Sequence, residues 1–257
     1  MLIDAHAHLD KYDPTELDLV LDEIDRRRIG TISVSIDPAS FVAAESIAAR
    51  SELVLATFGI HPSEAPAWVD RLDDIDELMD RSPMIGEVGL DHRFVVDTAR
   101  HGSQRIVFDR MVDRAVTSGK VLNVHCAGAE AEALATLLGR EASRVIVHWY
   151  HGPDHPLEGM IAAGYMLTVS VEVLYSERVR RIAARIPDHL LLTETDNPGG
   201  QRWLTGDVGM PDRLDAVLEE LARLRGVIPE SIESLVHANL KRLFAGDTHV
   251  DGWAALD

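Results

Sequence analysis

The chain is expected to fold as a single-domain (β/α)8 barrel. Three observations carry that expectation: eight short apolar, β-branched segments, a helical pattern after each, and a length of 257 residues, which one barrel fills. Strands are expected over residues 2–9, 31–36, 54–61, 84–91, 121–126, 144–150, 165–171 and 190–196. Asp13, Pro14 and Glu16 read as an N-cap, a first-turn proline and a capping-box glutamate. The helix they open carries one apolar stripe, Leu17, Val20, Leu21 and Ile24. Asp37-Pro38 repeats the device ahead of residues 41–50. Further helices are expected over 103–118, 129–139, 157–163, 176–186, 211–225 and 229–244, with a mixed segment at 67–81 and a loop after Asp196 (NPGGQRWLTG). No linker, repeat or low-complexity stretch divides the chain, so 1–257 is read as one domain with 246–257 as a loose tail.

Charge narrows the function classes. The formal net charge is −18, and lysine occurs only at 11, 120 and 241. A broad basic surface that grips nucleic acid by neutralising phosphates is therefore excluded, and any nucleic-acid substrate must be held by a small site. The one cysteine, Cys126, can form no internal disulfide, which points to a reducing, cytoplasmic setting. There is no signal-peptide pattern, no apolar run long enough to cross a membrane, and no sign of an obligate protein partner.

Six residues hold the chemical signal. His6 and His8, two apart on one strand, face the same way, with Asp4 a layer deeper. Glu87, His125, His148 and Asp196 each end an apolar run belonging to a different strand. Barrel enzymes carry their chemistry at these strand ends. Ionisable groups gathered there must be paired or bound to metal, because leaving them alone costs several kcal/mol each. Imidazoles and carboxylates converging from five strands are the donor set of a two-metal hydrolytic site. That set suits Zn²⁺ or Mn²⁺ better than Mg²⁺ alone, and the metal stays open.

The segments LIDAHAHLD, FGIHP, IGEVGLD, Gln104-x-x-x-Phe108, VHC, ETDNP and NLKRLF occur in this order nearly end to end. In them the chain resembles the TatD family of metal-dependent hydrolases, the TatD-like deoxyribonucleases within the amidohydrolase-like barrels. The resemblance implies that His6, His8, Glu87 and Asp196 hold one divalent ion. Glu87, His125 and His148 would hold a second, with Glu87 bridging, Asp196 as general base and His61 as a substrate contact. It further implies hydrolysis of phosphodiesters at the ends of single-stranded DNA or RNA.

Several positions depart from that pattern. Ala127 stands where relatives often have arginine, His92 where an aromatic follows GLD, and His101 where another arginine is expected. Arginine is the preferred bidentate partner of phosphate, so these losses weaken a standard nuclease pocket. Arg202 could compensate, and Trp149, Tyr150, Trp203, His151 and His155 are the other substrate-side candidates. Strand alternation puts Trp149 and Tyr150 on opposite faces, so one of them is expected in the core. Asp91 is read as a hydrogen-bond partner of a ligand or as a loop cap, Glu194 as a buried partner of the site, and Cys126 as a packing residue turned toward the helices. Two other readings stand beside the nuclease: hydrolysis of a small amide, ester or phosphodiester, and, more remotely, a non-catalytic metal-binding module.

Overall fold

The structure is a computed structural model and describes residues 1–256. Its strands are β1 (Leu2–Ala7), β2 (Ile29–Val34), β3 (Val54–Thr57), β4 (Ile85–Gly89), β5 (Leu122–His125), β6 (Val145–Val147), β7 (Met166–Val169) and β8 (Leu191–Thr193). All pair in parallel in chain order, as a three-stranded sheet β1-β2-β3 and a five-stranded sheet β4-β5-β6-β7-β8. Nearly every strand residue is buried, as expected of parallel strands covered by helices on one face and filling a barrel on the other.

Two seams close the ring. Between β3 and β4, Phe58 bridges to Ile85 and the Gly86 N–H donates to the Phe58 carbonyl at 2.8 Å. Between β8 and β1, the Asp196 N–H donates to His6 at 2.9 Å and the His8 N–H to Asn197 at 2.7 Å. Side chains stitch the layer below: the Thr193 hydroxyl donates to the Ile3 carbonyl at 2.6 Å, and Asp4 accepts from the Thr195 N–H at 2.9 Å and hydroxyl at 2.6 Å. Burial still pushes the Asp4 carboxyl up, to about 7, against the lowering effect of those donors. The seam therefore fixes the two strand ends that carry His6, His8 and Asp196.

The outer layer comprises α1 (Pro14–Arg27), α2 (Pro38–Ala48), α3 (Ala65–Trp68), α4 (Asp76–Arg81), α5 (His101–Ser118) and α6 (Glu130–Gly139). It continues with α7 (Asp154–Ala162), α8 (Glu177–Arg185), α9 (Gly199–Thr205), α10 (Arg213–Arg225) and α11 (Pro229–Leu243). Both expected capping devices form. Asp13 accepts from the Thr15 and Glu16 N–H groups while Glu16 reaches back, and Asp37 pairs reciprocally with Ser40. Val20, Leu21 and Ile24 are the buried stripe of α1.

Two expectations are corrected, and a third holds for a different reason. The run after Asp196 is not all loop: Pro198 caps the short helix α9, whose Gln201 is buried and bonded to Tyr175 and Thr205. The tail from 246 is not loose as far as Leu256, while residue 257 lies outside the described residues. Trp253 and Ala255 are buried, the Trp253 indole donates to the Leu53 carbonyl at 3.0 Å, and Ala254 donates to Glu52 at 3.2 Å, so the tail plugs the bottom of β2 and β3. Trp149 and Tyr150 divide as expected, Tyr150 buried in the core and Trp149 half-buried, but the reason is not strand alternation, because β6 ends at Val147 and Trp149 takes a left-handed φ of 42°. Both border the same cavity.

Candidate metal centre

All six expected residues meet at one rim. His6 lies near the end of β1 and His8 just beyond it, Glu87 within β4, His125 at the last position of β5, His148 one residue past β6, and Asp196 three past β8. Glu87 stands between two groups of imidazoles. Its Oε2 is 3.6 Å from His6 Nε2 and 3.3 Å from His8 Nε2. Its Oε1 is 2.9 Å from His125 Nδ1 and 3.0 Å from His148 Nε2. Asp196 Oδ1 joins the first group, 3.7 Å from His6 Nε2 and 3.4 Å from His8 Nε2.

The outer nitrogens of two of these rings are hydrogen-bonded, and those of the other two face a carboxylate at longer range. His6 Nδ1 is 2.9 Å from Asn123 Oδ1, and His8 Nδ1 is 3.2 Å from the Val34 carbonyl. Each acceptor selects the tautomer that turns an Nε2 lone pair toward Glu87. His148 Nδ1 faces Glu194 Oε2 at 3.6 Å, and His125 Nε2 faces Asp91 Oδ2 at 3.5 Å. Asp91 also accepts from the Arg93 and Phe94 N–H groups, so it caps the loop while facing the His125 ring. Glu194 is fully buried and accepts from the Trp149 N–H at 2.8 Å.

Electrostatics follow from this crowding. Burial drives the Glu87 carboxyl upward, but His61, His148 and His6 outweigh it and hold the group well below the usual carboxylate range. Burial drives His148 downward, yet Glu87 and Glu194 raise it well above an ordinary imidazole. Burial likewise opposes His125, which Asp91 and Glu87 raise. Asp91 is held at about 2: burial opposes this, and His125 with two backbone donors prevails.

The donor set fits a divalent cation. His125 Nδ1 and His148 Nε2 are 3.0 Å apart, and both touch Glu87 Oε1, so the lone pairs of these atoms converge. His6 Nε2 is fully buried without a hydrogen-bond partner, a deficit that a bound cation removes. His6, His8 and Glu87 form one potential ligand group, and His61, Glu87 and His125 another. A third, His6, His148 and Glu194, overlaps the same rings.

The substrate-side candidates divide. His61 stands beside Glu87, its Nε2 3.7 Å from Oε1, and burial pushes it down to about 3 despite that carboxylate. Trp149, Tyr150, His151 and Trp203 border a cavity that also reaches His125, His148 and Asp196. Arg202 is exposed on α9 and does not border that cavity, and His155 is exposed on α7. Ala127 is in the cavity wall, while His92 and His101 stack on each other at 3.8 Å. Cys126 is buried, its thiol pushed up by burial, and it too borders the cavity.

Three contributors escaped the sequence reading. Asn123, a polar residue inside the apolar strand β5, orients His6. Gly59 lies so close to β4 that a Cβ there would meet the Glu87 carbonyl at 2.2 Å and its nitrogen at 2.5 Å, so only glycine lets Glu87 take its place. Arg93 extends along the rim, its guanidinium over Phe94 at 5.5 Å and against His151 Nε2. The polar interruption of an apolar run signalled Asn123, the FGIHP segment contained Gly59 without showing its role, and nothing in sequence signalled Arg93.

A parallel barrel with buried imidazoles sharing a carboxylate at its C-terminal rim defines a metal-dependent hydrolase. The family model described as TatD related DNase matches residues 3–245, and the chain belongs to that family. The human protein named deoxyribonuclease TATDN3 is 26% identical to it over 97% of this chain and 96% of its own. YabD of Bacillus subtilis, named an uncharacterized metal-dependent hydrolase, is 27% identical over 95% and 99%. Among solved structures, the TatD homologue YJJV of Escherichia coli superposes with a TM-score of 0.85 at 22% identity, covering 94% of this chain and 97% of its own. No helix of the described residues is long and apolar enough to cross a membrane.

Proposed function

We propose that this hydrolase is a two-metal phosphodiesterase acting on the ends of single-stranded DNA or RNA. The carrying observation is the division of Glu87, one oxygen toward His6 and His8 and the other toward His125 and His148. His6, His8, Glu87 and Asp196 would hold one ion, and Glu87, His125 and His148 the other. Divalent ions there would lower the pKa of water and polarise the oxygen under attack. Asp196 is the proton acceptor: its side chain is 23% exposed, against 3% for Glu87, so it alone of the two carboxylates opens to the cavity. Its left-handed φ of 52° turns the carboxylate back toward His8. Asn123, the Val34 carbonyl, Asp91 and Glu194 hold the rings in register.

A small ester or phosphodiester is the second reading, and Ala127 favours it, because the cavity wall there offers no guanidinium. The deciding experiment uses single-stranded DNA and RNA labelled at either end, beside a chromogenic phosphodiester and ester panel. Each is run with Mn²⁺, Mg²⁺ or Zn²⁺ and with Asp196→Asn. Metal-dependent shortening from one end, lost in Asp196→Asn, is the expected result. Turnover confined to the small substrates would replace the nuclease reading with the second.

A further inference from the structure

The cavity that adjoins the metal centre is an aromatic slot, and its composition constrains the substrate more closely than the rim does. Phe94, Trp149, Tyr150 and Trp203 all line it, with Cys126 and Ala127 beside them, and Phe94 and Trp203 are the exposed members. It meets the centre on the side of His125, His148 and Asp196, so a group filling it has one end at the reacting position.

The walls are set before any ligand arrives. The Trp149 indole N–H donates to Glu172 at 2.6 Å, and its ring lies so close to Gly200 that a Cβ there would approach it to 2.8 Å. Trp203 meets Trp149 at 6.0 Å and 76°, and Phe94 meets Trp203 at 6.1 Å and 88°. Edge-to-face packing at these distances puts the rings in contact with one another, which fixes the orientation of the faces they turn to the cavity. Phe94 and Trp203 are each 54% exposed, an unusual outlay of aromatic surface beside a catalytic rim. No lysine or arginine borders the slot, whereas the Glu130 carboxylate does. A phosphate is disfavoured inside it and is directed to the metal rim or to Arg93 outside.

We propose that this slot binds a single planar, uncharged ring carried on the group undergoing hydrolysis, either the base of a terminal nucleotide or the aryl group of a small ester. The proposal rests on the hydrolytic reading of the rim and deepens it. Stacking on aromatic side chains is sequence-tolerant, so the slot selects for a ring at the scissile end and not for a particular base.

The test is calorimetric binding to the Mn²⁺-loaded enzyme of thymidine 5′-monophosphate, 4-nitrophenyl phosphate and 2-deoxyribose 5-phosphate. All three present a phosphate monoester, and only the first two carry a ring. The expected result is that a ring compound binds at least about tenfold more tightly than the sugar phosphate. Trp203→Ala and Phe94→Ala, both at half-exposed positions, should each shrink that ratio while melting with the parent protein. Equal affinities, or a ratio unchanged in both variants, would overturn the slot. Tighter binding of the nucleotide assigns the ring to a nucleic-acid end. Tighter binding of the nitrophenyl compound assigns it to small aryl esters, in which case the slot stands and the nuclease reading does not.

Discussion

The metal rim and the aromatic slot share a border at His125, His148 and Asp196 but are built in opposite ways. Rim side chains sit on or just beyond strand ends, are nearly all buried, and have their outer nitrogens matched to Asn123, Val34, Asp91 or Glu194. Slot side chains come from loops and the short helix α9, and two of the four rings are half exposed. The comparison teaches a division of labour. Chemistry that needs tight placement is mounted on the rigid barrel, and selectivity is mounted on connections that can vary without disturbing it.

Breaking the rim should cost most. Glu87→Ala removes the one residue that serves both imidazole groups, so turnover should fall to background. Bound metal, measured by elemental analysis after dialysis, should fall below that of the parent protein. Circular dichroism should be unchanged, since the removed side chain packs among ligands and not in the apolar core. Retained turnover would refute the bridging role. Asn123→Ala should be milder. It leaves His6 able to bind but no longer orients it, and loss of such an outer partner typically costs about 10- to 100-fold in metal affinity or activity. A calorimetric metal titration reads this directly, and Asn123→Asp, which keeps an acceptor for His6 Nδ1, should recover part of the loss.

The same contrast explains what the sequence made legible. An apolar run that ends in His, Glu or Asp can be read as a barrel strand presenting a ligand, because burial restricts what else such a residue can be doing. All six rim positions were visible for that reason, as were the eight strands behind them. The slot was harder to see. Trp149 and Tyr150 were assigned to opposite faces by strand alternation, a rule that lapses once β6 ends at Val147 and φ changes sign. Pro198-Gly199-Gly200 looks like a helix breaker, yet α9 forms because the Gly200 N–H returns to the Asp196 carbonyl at 2.7 Å and Gln201 finds buried partners. The tail was read as loose from its terminal position alone, whereas Trp253 finds a buried place that only the folded barrel provides.

The slot itself can be sharpened by restoring the guanidinium that the resemblance leads one to expect. Ala127→Arg would place a cation in the cavity wall within the neighbourhood of Tyr150 and Glu130. A hydrogen bond to a charged group is worth about 1.5–3 kcal/mol. The affinity for 2-deoxyribose 5-phosphate should therefore rise about tenfold or more, while the preference for ring compounds shrinks as the side chain takes up their space. An unchanged preference would mean that Ala127 lies outside the ligand's path.

The smallest effect separates the two substrate readings at the outer edge of the slot. Arg93 has no carboxylate within ion-pair distance among the described residues, so its charge is left to face the rim. Its guanidinium lies over Phe94 and against His151, whose imidazole is pushed down by burial and then by Arg93 itself, so the pair presents a single positive charge. A phosphate one nucleotide inward from the cleaved end would be drawn to that charge. Arg93→Ala should then raise KM for single-stranded DNA roughly three- to tenfold with kcat unchanged, because the contact is made equally in the ground and transition states. It should also flatten the salt dependence, removing about 0.7 from the slope of log affinity against log salt, the share of one phosphate on a single strand. A small uncharged ester makes no such contact, so its KM and salt response should not move in the variant. If the DNA slope is unaltered as well, Arg93 serves only to brace Phe94 and the polyanion is held by the metal rim alone.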